Sequence, residues 1–376
     1  MTAAVRRVAV AARRKFPRGT VVLAVGTKRG LFLVTSRDRR AWKIEGPHLG
    51  GHRVFHATLD LRNGARLFAA DNGDFFGSFV RYSDDFGRTW QEPRNGIAFG
   101  DGSGLSLKNI WVIEPGRASE PHTVYCGVDP AALFVSRDGG QSWELNQGLA
   151  AHPTRSRWQP GAGGLCLNSI VAHPTNPRRM WVAISAVGVM RTDDGGQTWT
   201  FCNTGTRADF LPDKYPEFGQ CVHRLLGHPA NPDVLYQQNH CSVYASTNAG
   251  NNWTEIRANL PSDFGFPMAM DVHHPDTLYT IVEDPGGRTN FGDQFTVYRT
   301  QNAGKRWERL TRGLPKGPAV RLGVLRHGMC ADALDPCGVY VGTNTGQLFA
   351  SRNRGNSWTM IADFLPAIYS VTAAVL

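Results

Sequence analysis

The residue types able to do chemistry gather in a few irregular, polar stretches. Arg207, Asp209, Tyr215 and Glu217 lie together, followed by His223 and by the pair His240-Cys241. The segment HPTRSRWQPGAGG supplies His152, Arg155, Arg157 and Trp158, and a later stretch supplies Arg321, Arg326 and His327. Such a set suits a polar, ring-shaped ligand such as a sugar: guanidiniums and imidazoles hydrogen-bond its oxygens, and an indole offers a flat apolar face. Carboxylates can also cut. Glycoside cleavage takes two such groups roughly 5 to 9 Å apart. In that chemistry Asp209 or Glu217 would be the acid/base, and Tyr215 or a second carboxylate would stabilise the developing positive charge, with His223 in the same catalytic set. His152, Arg155, Trp158, Arg207, His240 and Arg326 would hold the substrate. His223, His240 and Cys241 also form a minor alternative as ligands of zinc or copper, although their spacing matches no metal signature. No cofactor is expected. Each residue also has a structural alternative: His223 as a core imidazole bonded to a carbonyl, Tyr215 packed on its loop, Arg155 paired with an acid.

What must position these residues is a repeat. Ser136-Arg-Asp-Gly-Gly-Gln-Ser-Trp143 recurs as SDDFGRTW ending at Trp90, TDDGGQTW at Trp199, STNAGNNW at Trp253, TQNAGKRW at Trp307 and SRNRGNSW at Trp358, with a shortened SRDRRAW ending at Trp42. Successive Trp residues are 48, 53, 56, 54, 54 and 51 apart, a period that belongs to stacked or radially arranged units. Within the box, Asp85, Asp138 and Asp194 can accept from backbone N–H groups a few residues on, and Gly87, Gly140 and Gly196 can take the positive φ of a tight turn. Three later copies carry Asn248, Asn302 and Asn353 instead. An amide keeps the turn-forming oxygen but cannot serve as a general acid or base, so the box reads as a fold staple.

The boxes resemble those of the Asp-box (BNR) repeat superfamily of β-propellers, and the whole chain is similar to bacterial proteins described as sialidase-like or BNR-repeat glycosyl hydrolases. Segments such as NHCSVYAS and VGTNTGQLFASRNRGNSW carry the likeness beyond the boxes. The resemblance implies an all-β fold: a seven-bladed β-propeller of four-stranded antiparallel blades over residues 19–376. The superfamily hosts hydrolases, receptors and assembly factors, so it implies architecture more than activity. Sialidases carry a Phe/Tyr-Arg-Ile-Pro motif before the first strand; Lys15-Phe-Pro-Arg-Gly-Thr20 does not match it, and a sialidase proper is not expected.

Each interval between boxes parses as a strand led by Trp, a loop, an inner strand, a His/Pro/Asn-rich turn, and two further strands. After Trp199 these are Trp199–Asn203, a loop over 204–220, Cys221–Leu226, the turn HPANPD, VLYQQNH and SVYAS. The first repeat has only Val21–Gly26, Leu31–Thr35 and Trp42–Glu45 before the next begins. The apolar C-terminal stretch Tyr369–Leu376 is expected to supply its innermost strand and close the ring. This order puts boxes and His-Pro turns on one face. The long loops and the links between second and third strands then share the other face, around the mouth of the axial channel.

Composition narrows the rest. The net charge is +10, but Arg6, Arg7, Arg13, Arg14, Lys15 and Arg18 fall in residues 1–18, which read as a flexible basic arm. Seven cysteines without a CxxC pair argue against a disulfide framework and for the cytoplasm. No apolar run reaches the roughly 18 residues of a membrane span. Phosphate-loop, G-x-S-x-G and H-E-x-x-H motifs are missing. The expected partner is a glycan or other small polar molecule, with a non-catalytic binding or assembly role and a protein partner as the alternative, and no specific nucleic acid.

Overall fold

The computed structural model describes residues 16–73, 77–100 and 102–376. Most of the basic arm, residues 1–15, lies outside the described residues. Phe16 already belongs to the packed body, edge-on to Phe86 with ring centroids 4.8 Å apart.

The repeat becomes seven antiparallel sheets, six of four strands and one of three among the described residues. Each inner strand neighbours the inner strand of the next sheet until the last meets the first, which makes the molecule a seven-bladed β-propeller. The fifth blade illustrates the pattern with Val222–Gly227, Leu235–Asn239, Ser242–Ser246 and Thr254–Glu255, from inside to outside. Its outermost strand is shorter than the Trp-led strand expected from sequence, as is the fourth blade's Thr200–Phe201. The three-stranded sheet is the second blade, where the fourth strand shrinks to one bridge between Tyr82 and Gln91. Pro93 follows two residues later and has no N–H to extend a ladder.

The boxes act as staples, and the bonds repeat from copy to copy. The Ser or Thr hydroxyl accepts the amide of the Gly four residues on: Ser136 from Gly140 at 2.8 Å, Thr192 from Gly196 at 2.8 Å, Ser351 from Gly355 at 2.9 Å. Asp138 Oδ1 accepts the Ser142 amide at 2.9 Å, and Asn248 and Asn353 each accept the equivalent amide at 3.0 Å. The amide copies therefore preserve the acceptor. At Asp194 the hydroxyl and amide of Thr198 hold the carboxyl well below its ordinary range. Two box Trp side chains tie neighbouring blades by hydrogen bonds: Trp253 Nε1 donates to Cys202 O and Trp307 Nε1 to Ile256 O, both at 2.8 Å on the preceding blade. Box and His-Pro turn share a face, since Gly195 N donates to Arg178 O and Ala249 N to Asp233 O, each at 2.8 Å.

Closure follows the expected route. Ile368–Val375 pairs antiparallel with Val21–Thr27, with Val371 opposite Val25 and Val375 opposite Val21. Gly30–Ser36 and Lys43–His48 complete the blade. Val21, Leu23, Val25, Ile368 and Val371 form one buried cluster with Tyr340 and Leu348 of the last blade. Similar clusters fill each junction between blades; Trp181, Val189, Val222, Leu235 and Tyr244 form the one between the fourth and fifth.

Candidate functional site

Contacts between blades that are not neighbours can be made only across the axis, and these locate its centre. His327, leading into the seventh blade, sets Nε2 2.8 Å from Asn168 O of the fourth and Nδ1 3.0 Å from an Arg224 guanidinium nitrogen of the fifth. Nδ1 must therefore accept and Nε2 donate, which fixes a neutral tautomer. His56 of the second blade packs edge-on to His327 at 4.9 Å, and burial followed by the Arg224 charge depresses it to about 3. Arg326 lies over Trp111 of the third blade at 5.2 Å and Phe266 of the sixth at 5.4 Å. It donates to Ser185 Oγ of the fourth at 3.2 Å.

Directly against Arg326 is a cavity of about 240 Å³. Its walls come only from the two kinds of segment expected at one end of the ring. Loops leading into inner strands contribute Gly161–Gly163, Phe210, Cys221, Phe264 and Arg326, and links between second and third strands contribute Ala186, His240 and Arg288. His223 and Phe266, at the head of the inner strands, complete one wall, where their rings stack with centroids 4.5 Å apart. No Asp or Glu lines the cavity among the described residues.

The electrostatics are those of a cationic pocket with neutral imidazoles. Arg326 is 8% exposed and, among the described residues, makes one hydrogen bond and leaves Nε without a partner. A buried guanidinium without a carboxylate is costly unless something supplies the missing acceptors. His223 Nδ1 lies 2.6 Å from Gly265 O, so a neutral ring carries its proton there and turns the Nε2 lone pair toward Cys221 Sγ, 3.4 Å away. Burial, then the charge of Arg326, keeps His223 far below its ordinary value, and burial with Arg288 and Arg326 lowers His240.

Of the ten residues singled out from sequence, His223, His240 and Arg326 meet here; the others do not. Asp209 is exposed and salt-bridged to Arg207, which also bonds Glu255 at 3.3 Å and Asp263 at 3.2 Å. A second arginine, Arg257, binds Asp263. Asp209 and Arg207 are thus engaged with each other and with neighbouring charges and are not among the residues lining the cavity. Glu217, Tyr215 and His152 line a separate groove of about 470 Å³ beside Trp199 and Phe201, in which Glu217 is the only carboxylate among the described residues. Trp158 is 5% exposed, donates Nε1 to Thr154 Oγ1 at 2.9 Å, and is covered by Arg155 at 4.9 Å. Arg155 itself donates to Ala131 O. The pair anchors its loop and offers no open platform to a sugar. Cys241 is likewise turned away from the histidines, its sulfur 3.4 Å from the amide of Asp209; Cys221 stands in its place.

Phe210, Cys221, Phe264, Phe266 and Arg288 were not anticipated. For Arg288 the signal was available, since it occupies in the sixth blade the link that His240 occupies in the fifth. For Cys221 the strand boundary hid it: the inner strand begins at Val222, leaving Cys221 on the rim.

The profile of the BNR/Asp-box repeat family matches residues 81–92 and 134–145. A xyloglucanase, Xgh74A of Acetivibrio thermocellus, is 25% identical over 242 residues, 54% of this chain and 26% of that enzyme. The chain thus spans about a quarter of that relative's length. Among solved structures, an ancestral GH74 enzyme superposes with a TM-score of 0.56 at 19% identity, over 82% of this chain and 38% of the other. YCF48 bound to a D1 peptide superposes at 0.51 with 15% identity, over 82% of each chain. These likenesses establish the fold.

Proposed function

Starting from a seven-bladed β-propeller that carries BNR/Asp-box repeats, we propose that this chain binds a small acidic saccharide, or a similar polar molecule bearing a carboxylate, in the cavity on the axis. The observation that carries this reading is Arg326: a buried guanidinium facing a cavity, with one hydrogen bond and no carboxylate. A ligand carboxylate is the group that matches it, because a planar guanidinium pairs with two oxygens at once. Exposed Arg288 offers a second cation among the lining residues. Phe210, Phe264 and Phe266 add apolar faces of the kind on which sugar C–H surfaces pack. The relationship to xyloglucan-degrading enzymes supports a glycan ligand at the level of the fold. Without an Asp or Glu in the cavity, the reading is of binding and not of hydrolysis there. All seven cysteines are unpaired, and a reducing compartment belongs to the same proposal.

The test is a calorimetric panel on the purified chain, with uronate-containing saccharides beside their neutral counterparts, run in parallel with chromogenic glycosides. Saturable heat with acidic members and no chromophore release is expected. Absence of binding by every acidic member, or turnover abolished by Asp209→Asn in a folded protein, would overturn the proposal.

A further inference from the structure

The cavity lining holds three donor atoms that the acidic-ligand reading does not use. Cys221 Sγ, one nitrogen of His223 and one of His240 lie within 4.8 Å of one another, and they form the His/Cys cluster found among the described residues. We propose that Cys221, His223 and His240 bind a single copper(I) ion.

Three features support this. His223 is preorganised as a ligand: its Nδ1–H is committed to the Gly265 carbonyl at 2.6 Å, the arrangement that orients metal-binding imidazoles, and the lone pair on Nε2 points at the thiol. His240 is held by ring contacts, edge-on to Phe210 at 5.2 Å and Phe264 at 4.9 Å, and among the described residues neither of its nitrogens makes a hydrogen bond. The separations also fit. An ion with bonds of roughly 2.0 to 2.3 Å holds three donors about 3.6 Å apart. Cys221 Sγ and His223 Nε2 already stand at 3.4 Å, and a rotation of half-buried His240 by about 1 Å at its nitrogen closes the set.

Ligand chemistry and charge choose the ion. A thiolate with two imidazoles in a three-coordinate arrangement suits copper. On binding, the Cys221 thiol releases one proton to solvent as the sulfur–metal bond forms. With copper(I), the charge gained equals the charge released, so the field at Arg288 and Arg326 is unchanged. A divalent ion would add a positive charge beside two guanidiniums, at a cost set by their proximity. Binding of the ion does not depend on any saccharide.

The experiment is an anaerobic titration of the reduced full chain with copper(I) against a chromophoric copper(I) chelator, with proton release followed in weak buffer. One equivalent bound and one proton released are expected. Cys221→Ser and His240→Ala should each weaken binding by about 100-fold or more while the melting temperature of the metal-free protein holds, and Cys241→Ser should change it little. Binding unaffected by Cys221→Ser, or loss of the site in Cys241→Ser instead, would overturn the assignment. These readouts involve the metal alone, so failure of the saccharide reading leaves them intact, and their failure leaves that reading intact.

Discussion

Removing residues 370–376 tests the closure of the ring. Six positions of the innermost strand of the first blade disappear, from Ser370 opposite Gly26 to Val375 opposite Val21. With them go Val371, which is 1% exposed, and the bond from Thr372 Oγ1 to Ala57 O at 2.6 Å, which ties the strand to the second blade. Burying one such valine is worth about 1.5 to 3 kcal/mol. Half a dozen backbone and side-chain hydrogen bonds at roughly 0.5 to 1.5 kcal/mol each add about 3 to 9 kcal/mol. The loss is therefore about 5 to 12 kcal/mol, comparable with the whole stability of an ordinary domain, about 5 to 15 kcal/mol. Val21, Leu23 and Val25 would also face solvent along an unpaired edge. The truncated chain should be largely insoluble, or should melt well over 10 °C below the full chain by circular dichroism. A soluble truncation that melts with the full chain would refute the argument from strand order, and with it the assignment of loops to the cavity end.

Other changes probe separate parts of the structure. Asp138→Asn should cost under about 0.5 kcal/mol in urea denaturation, because Asn copies of the box keep the same acceptor, whereas Asp138→Ala should cost about 1 to 2 kcal/mol through the orphaned amides of Gln141 and Ser142. Glu283 is fully buried, accepts the Val324 amide at 2.7 Å, and is pushed up by burial to about 8. A carboxyl raised in the folded state holds its proton more tightly than in the unfolded chain. Its contribution is therefore most favourable below about pH 4.5 and is lost as pH rises to about 8. Glu283→Gln should flatten that slope and raise stability at pH 9 by roughly 2 to 4 kcal/mol; an unchanged pH profile would exclude the effect. Asp209→Asn should shift stability by less than about 0.5 kcal/mol and leave binding in the cavity unaltered, as expected for an exposed ion pair.

The scaffold was legible in the sequence because its determinants are local. A box bonds to itself within four residues, so Ser136, Asp138, Gly140 and Trp143 can be recognised without knowing what surrounds them. Even closure could be read, because a blade short of one strand and an apolar terminal strand complement each other. The cavity was legible only by face. Its walls join Gly161 to Arg326 across the twelve strands of three whole blades, and no local pattern marks which side chain of a loop turns inward. The loop 204–220 was expected to carry the chemistry. Its Asp209 is instead salt-bridged to Arg207 and its Glu217 lines a separate groove, while Phe210, within the loop, and Cys221, just past its end, reach the cavity. Trp158 misled for a related reason: an indole in a polar loop suggests a sugar platform, but Thr154 and Arg155 close over it.

The central claim is that unpaired guanidiniums on the axis select a carboxylate, and the most direct measurement compares one uronate-containing saccharide with its neutral counterpart by calorimetry on the wild-type chain and on Arg288→Ala. Arg288 is exposed, so its removal spares the fold. A charge-assisted pair is worth about 1.5 to 3 kcal/mol, which corresponds to roughly 10-fold or more in affinity. The wild-type chain should prefer the acidic ligand by at least that factor, and Arg288→Ala should lose most of the preference while the neutral ligand binds as before. Equal affinity for both ligands in the wild-type chain, or a preference that survives Arg288→Ala and Arg326→Gln alike, would contradict it.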